Sequence, residues 1–287
     1  MRRLKRTLSN PLIIALDDLD KEIAFKYIQE LLGRRIFNNG VWGIQISYPS
    51  MNNQETIMAL KKLGVGGVFS NPALHLMPKA MQRTISAYTP ADFISIHASG
   101  GPDMIRAAVE NSRPSRIIAL TVMTSFDNVV GELIFGRSIE AEVMILAMTA
   151  RIAGVDGFIC PPRELRILNK YRNFLEMNKR SLILVSPAIR SRRWRGGSQH
   201  QETMTPKDAI ASGADYLVIG GEITDPIANY KKFIKKREYK KDPAAAESHA
   251  WKTAVEKSIE AIYRILDEIS PYLINDHIAF IDELNRK

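Results

Sequence analysis

The sequence predicts an α/β protein folded as a single (β/α)8 barrel. Three observations carry that reading. Apolar runs of strand length alternate eight times with amphipathic segments of helix length, the pattern of a parallel sheet with crossover helices. The strand-length runs are largely continuous, as strands buried on both faces are. The chain has 287 residues, 45% of them hydrophobic, and no Ser/Gly-rich linker divides it. A barrel of about 250 residues fits that length in one piece. We expect one domain over 1–287. It has a basic arm at 1–10, strands one to eight with helices one to seven over 12–226, a basic insert at 227–241, and helix eight with a C-terminal tail at 243–287.

The first strand is 12–17, apolar until it ends in Asp17. In such barrels the functional residues stand at the C-terminal ends of the strands. Asp20 caps a helix with Ile23, Ala24, Tyr27, Ile28 and Leu31 on one face, stopped at Gly33. The second strand is 41–47, and a helix over 51–63 turns Ile57, Leu60 and Leu63 inward. Strand three is 66–70 and helix three 78–88. Strand four, 91–97, leads through Ala98-Ser99-Gly100-Gly101 into a helix over 102–111. Strand five is 116–124, and helix five, 139–153, ends at Gly154. Strand six is 155–160 and its helix 163–177. Strand seven, 182–186, opens a polar loop over 187–203. Thr205-Pro206 begins helix seven, and strand eight is 215–220. The basic insert follows with Lys231, Lys232, Lys235, Lys236, Arg237, Lys240 and Lys241. From Asp242-Pro243 a long helix runs to about 269, with Trp251, Val255, Ile259, Ile262 and Leu266 at helical spacing.

Composition sets bounds on function. The formal charge of +9 favours anionic partners, although a lysine-rich surface accounts for it equally well. Cys160 is the one cysteine, so no intrachain disulfide forms, which suits a cytoplasmic or other reducing compartment. No run of about 18 apolar residues exists, so no membrane span is expected. The basic start is not followed by an uninterrupted apolar stretch, because Asp17 and Asp18 break it, so a secretory signal is not expected. No Cys/His cluster has metal-ligand spacing, and no metal or cofactor is expected.

The stretch Val68-Phe69-Ser70-Asn71-Pro72-Ala73-Leu74-His75-Leu76-Met77-Pro78-Lys79 is the one around which the rest is organised. Further motifs stand in order along the chain. Ala15-Leu16-Asp17 and His97-Ala98-Ser99-Gly100-Gly101 are followed by Thr121-Val122-Met123-Thr124-Ser125. Val185-Ser186-Pro187-Ala188-Ile189-Arg190, Met204-Thr205-Pro206 and Gly213-Ala214-Asp215-Tyr216-Leu217-Val218-Ile219-Gly220 complete the set. In this order the chain resembles the orotidine 5'-phosphate decarboxylase family over roughly 12–269. The resemblance implies a homodimer through the open end of the barrel and a phosphorylated pyrimidine substrate.

It also exposes losses. The family's Asp-x-Lys-x-x-Asp trio falls on Asn71, Ala73 and Leu76, and its strand-two lysine on Gln45. The family arginine that holds the substrate phosphate after strand eight falls on Gly221. Asp17 would face the ribose and Thr124 the pyrimidine; Pro187 opens the loop after strand seven, and the family's phosphate-loop glutamine falls on Gln199, His200 or Gln201. In the family, the lysine supplies the charge and the proton for a carbanion, and preorganised charge of this kind is usually the largest catalytic term. Ala73 supplies neither.

His75 and Lys79 are possible substitutes, although a histidine beside a strand end is more often structural. For an anion, Gly220 and Gly221 offer backbone N–H groups, and Arg190, Arg192, Arg193 and Arg195 bring guanidinium groups to the same rim. The bland reading of the rim charge is a solvated surface. Three classes of function remain. The first is a barrel without decarboxylase activity that binds a phosphorylated small molecule or RNA. The second is an active decarboxylase of pyrimidine (UMP) biosynthesis, or a related sugar-phosphate lyase, with rebuilt catalytic residues. The third is a nucleic-acid-binding or assembly protein.

Overall fold

Eight parallel strands close on themselves in chain order: β1 (Leu12–Ala15), β2 (Val41–Ile46), β3 (Gly67–Leu74), β4 (Phe93–His97), β5 (Arg116–Leu120), β6 (Gly157–Ile159), β7 (Ile183–Ser186) and β8 (Tyr216–Ile219). Closure is made by β1 on β8, with Leu12 opposite Leu217 and Ile14 opposite Ile219. The expected (β/α)8 barrel is therefore present. The computed structural model describes residues 8–48, 51–123, 125–176, 181–192, 194 and 203–274.

Twelve α-helices lie among the described residues: α1 (Lys21–Gly33), α2 (Gln54–Leu63), α3 (Pro78–Thr84), α4 (Gly101–Asn111), α5 (Asn128–Phe135), α6 (Ile139–Ala153), α7 (Pro162–Lys170), α8 (Arg172–Leu175), α9 (Pro206–Ala211), α10 (Gly221–Ala228), α11 (Lys236–Tyr239) and α12 (Pro243–Ile269). Their starts follow from capping chemistry. The side chains of Asp20, Asn53, Asp127, Ser138, Thr205 and Asp242 each accept a hydrogen bond from a first-turn N–H. No helix among the described residues is long and apolar enough to cross a membrane.

Two cores result. Between strands and helices lies a continuous apolar layer that includes Tyr27, Leu31, Ile44, Ile96 and Leu266. Inside the barrel, Ile13, Phe69, Phe93, Ile118, Val185 and Val218 pack with Trp42 and Tyr216. Trp42 stacks on Phe93 at 4.5 Å between ring centroids, and Tyr216 meets both rings. This aromatic plug fills the barrel toward the strand N-termini and leaves space at the other end. Gly67 makes room for it, since a Cβ there would lie 2.4 Å from the Trp42 ring.

Several expectations are corrected. The third strand runs to Leu74 rather than ending at 70. Its pairing with β4 jumps from Ser70↔Ile94 to Leu74↔Ile96, so 71–73 bulge out opposite Ser95. Pro72 has no N–H to give the ladder, which suits it to a bulge. The segment before α6 contains an extra helix, α5, capped by Asp127 and stopped by Gly136 at φ 68°. Leu63 does not face inward but is 38% exposed. It sits at the edge of the buried stripe in the last turn, where Gly64 at φ 90° turns the chain away. The helix after β6 is broken into α7 and α8, and α3 gives way to a 3-10 turn over Ile85–Tyr88.

The long C-terminal helix is present as expected, with Trp251, Val255, Ile259, Ile262 and Leu266 all buried. At 27 residues it spans about 40 Å. It is tied to α1 by Tyr27 Oη–Ser258 Oγ at 2.5 Å and by Trp251 Nε1 donating to Glu30 at 3.1 Å. The basic arm before residue 8 and the tail beyond 274 lie outside the described residues.

Candidate functional site

At the C-terminal end of the strands the barrel opens into a cavity of about 710 Å³. Its floor is the exposed upper face of the inner core: Phe69, Leu120, Ile159, Val185 and Val218. Its wall is polar and comes from strand ends. Asp17 follows β1, Gln45 ends the inward row of β2, and Asn71 and Ala73 come from the β3 bulge. Pro187 and Arg190 follow β7, while Gly220 and Gly221 join β8 to α10. These eight positions, singled out from the sequence, are thus brought to one cavity.

The wall is internally hydrogen-bonded. Gln45, 6% exposed, donates from Nε2 to Asp17 Oδ2 at 2.9 Å. Burial holds the Asp17 carboxyl above its usual range, and hydrogen bonds from Ser47 and Gln45 pull the other way. The other oxygen, Oδ1, is buried without a hydrogen-bond partner. In the bulge, Ala73 adopts φ 47°, a left-handed conformation uncommon for a residue with a Cβ. Its N–H donates to Ser95 Oγ at 2.8 Å, which helps hold the bulge against the wall.

The far side carries mixed charge. Arg190 donates to the Ile189 carbonyl at 2.7 Å. Burial lowers its pKa, and the nearby carboxylates of Glu222, Asp225 and Asp18 raise it. Glu222, in the first turn of α10, accepts from the Ser191 N–H at 2.9 Å and from the Ser191 hydroxyl, so it pins the loop after β7 to the helix after β8. Asp18 and Asp225 line the cavity together with Asp17.

Other candidates stand apart from this cavity. Leu76 packs against the outer core, and its N–H points at Met104 Sδ, 3.4 Å away. The exposed His75 pairs its ring with His97 at 5.7 Å, and burial followed by the nearby His75 lowers the His97 pKa. Lys79 is exposed on the first turn of α3. Arg192 borders a neighbouring hollow of about 280 Å³ shared with Arg190 and Trp194. Thr124, Arg193, Arg195 and Gln199 lie outside the described residues. Among the described residues, no group of three or more His, Cys, Asp or Glu side chains could hold a metal ion.

Sequence reading missed Ser47, Asp18, Glu222, Asp225 and Ser95. Glu222 had one available signal, since it directly follows the Gly220-Gly221 turn, whereas Asp225 stands four residues beyond it.

Comparison with known proteins agrees with the resemblance. A family model described as "Orotidine 5'-phosphate decarboxylase / HUMPS family" matches residues 75–232. The chain is 30% identical over 227 residues to an orotidine 5'-phosphate decarboxylase of Dictyoglomus turgidum, covering 75% of this chain and 88% of that protein. Against one of Geobacillus thermodenitrificans it is 30% identical over 243 residues, with 78% and 95% covered. The crystal structure of orotidine 5'-phosphate decarboxylase from Lactobacillus acidophilus superposes with a TM-score of 0.58 at 25% identity, covering 86% of this chain and 99% of that one.

Proposed function

We propose, from the premise that this chain belongs to the Orotidine 5'-phosphate decarboxylase / HUMPS family, that it binds a nucleoside or nucleotide in the barrel cavity without decarboxylating it. The observation that carries the reading is Ala73. It lines an open cavity at the position where the resemblance expects the lysine, and no other cation stands in its place among the described lining residues. Arg190 is the described cationic side chain of that lining, and three carboxylates lie near it. Among the described lining residues, a carbanion formed over the apolar floor would meet no cation other than Arg190, which those carboxylates surround. Asn71 keeps hydrogen bonding but no charge. Losses within a catalytic unit do not add as small independent effects.

Binding is supported by what remains. Asp17 and Gln45 present a carboxylate and an amide to a ligand's hydroxyl groups, and the apolar floor suits the face of a base. A homodimer through the open end belongs to the same proposal. Met77, 78% exposed after β3, and Leu133, 81% exposed on α5, offer apolar surface that a second copy would cover.

The test incubates purified protein with orotidine 5'-phosphate and follows carbon dioxide release, alongside titration calorimetry with uridine and uridine 5'-monophosphate. Binding of either ligand without turnover supports the proposal. Turnover that disappears on mutating Lys79 or His75 would establish the rebuilt-enzyme reading instead.

A second reading, a polyanion such as RNA on the rim, is favoured by one observation. Lys231, Lys232, Lys235, Arg237, Lys240 and Lys241 are all exposed, and Lys232 lies close enough to Asp225 to oppose the rise that burial and Asp18 impose on its pKa. RNA binding that weakens steeply with salt and is lost when these lysines are replaced would support it.

A further inference from the structure

Three facts describe the Gly221 end of the cavity. Gly221 is the first residue of α10, where backbone N–H groups lack helical partners and the helix dipole favours a negative charge. Asp225, one turn further on, turns its side chain back toward that end, as helical side chains do. Its Oδ1 stands 3.1 Å from where a Cβ on Gly221 would be, and its Cγ and Oδ2 stand 3.5 Å away. Finally, Asp225 lines the cavity and lies close to Asp18, Arg190 and Lys232.

A carboxylate is an oxyanion with two acceptor oxygens. Here it occupies the ground a bound phosphate would need: beside the helix N-terminus, over Gly221, and within the field of the one described guanidinium of the lining. Glu222 completes the effect, since its carboxylate is committed to Ser191 in the first turn of the same helix. A phosphate there would share the space with Asp225 and Asp18, which both lie close to Arg190. Among the described charged lining residues, the carboxylates Asp17, Asp18 and Asp225 face the single guanidinium of Arg190.

We propose that Asp225 takes the place of the ligand's phosphate, so that the cavity selects an unphosphorylated nucleoside over its 5'-monophosphate. This rests on the nucleoside-binding reading above and narrows it to one ligand class.

The experiment is titration calorimetry of the full chain with uridine and with uridine 5'-monophosphate at low salt. The wild type should bind uridine more tightly by about tenfold, the scale of a like-charge encounter close to the surface. Asp225→Asn keeps the shape of the side chain and removes its charge, so it should erase or reverse that preference. Asp18→Asn, at an exposed position of the same lining, should move the ratio in the same direction by a smaller factor. It keeps the test valid should the Asp225 variant fold poorly. Asp103→Asn on α4, away from the cavity lining, should leave the ratio unchanged. Equal or tighter binding of the monophosphate by the wild type overturns the proposal but leaves the nucleoside-binding reading intact. So does a ratio that neither Asp225→Asn nor Asp18→Asn shifts. If neither ligand binds any variant, the broader reading falls and the inference falls with it.

Discussion

The Gln45 side-chain amide donates to the Asp17 carboxylate across the β1–β2 strand ends at 2.9 Å. The donor is neutral, so the buried carboxyl is held by hydrogen bonds rather than by an ion pair. Replacing Gln45 with leucine removes that donor from a carboxylate whose other oxygen is already without a partner. The Asp17 pKa should rise further, and stability at neutral pH should fall by about 1–3 kcal/mol. Replacing Gln45 with lysine should lower the Asp17 pKa instead, because an opposite charge favours the ionised form. Carbon-detected NMR titration of the Asp17 carboxyl reads both changes. Shifts of the same sign in the two variants would count against this account.

Glu164 in α7 is buried, with one oxygen accepting from Thr121 Oγ1 at 2.5 Å and the other without a hydrogen-bond partner. Burial raises its pKa from the ordinary 4.5 to about 8. Between those values the folded chain keeps a proton that the unfolded chain has released. The resulting stabilisation is complete below about 4.5 and is lost as pH rises through about 8. Each pKa unit corresponds to roughly 1.4 kcal/mol. Glu164→Gln fixes the neutral form and should flatten the melting temperature across this window, leaving the variant more stable than wild type at its alkaline end. An unchanged slope in the variant would assign the pH dependence to other groups.

Ser95 is fully buried, and its hydroxyl accepts from the N–H of Ala73 in the bulge. Ser95→Ala should cost about 1–3 kcal/mol in urea denaturation, because the N–H keeps its place and loses its partner. Ala73→Gly should cost little, since glycine enters the left-handed region without a steric penalty. A neutral Ser95→Ala would mean that the bulge is held by packing alone.

Gly43 and Gly33 make a contrasting pair. A Cβ on Gly43 would lie 1.9 Å from the Gly67 carbonyl oxygen in the neighbouring strand, whereas one on Gly33 would meet nothing within 4 Å. Gly43→Ala should therefore give little soluble protein. Gly33→Ala should be neutral or stabilising by about 0.5 kcal/mol. Expression yield and thermal melts separate the two, and a well-folded Gly43→Ala would mean that β2 and β3 can part without penalty.

The strands were legible because each is a short apolar run bounded by polar residues, and the long C-terminal helix because its apolar side chains recur at helical spacing. Helix α5 escaped notice for a physical reason: Val129, Leu133 and Ile134 point outward, so the segment carries no inward stripe. The β3 bulge is also invisible to periodicity, since it depends on which residue of β4 each residue opposes. In the site, Asp17 was recognisable at the end of its strand, Gln45 and Asn71 through the family resemblance, and Arg190 and Gly220 by their place after strands seven and eight. Asp225 was not, because its approach to Gly221 depends on how a helical side chain turns back one turn.

The bond between Tyr27 and Ser258 joins residues 231 apart in sequence. At a synthesis rate of about 5–20 residues per second, Ser258 is added roughly ten to fifty seconds after Tyr27. For most of that interval β1 lacks β8 on one edge, and through all of it the Tyr27 side of α1 lacks its bond to the last helix. A growing chain of this protein therefore spends most of its synthesis with an unpaired strand edge and without the bond that ties α1 to the last helix. Its risk of misassociation on the ribosome is set by the last helix rather than by the first.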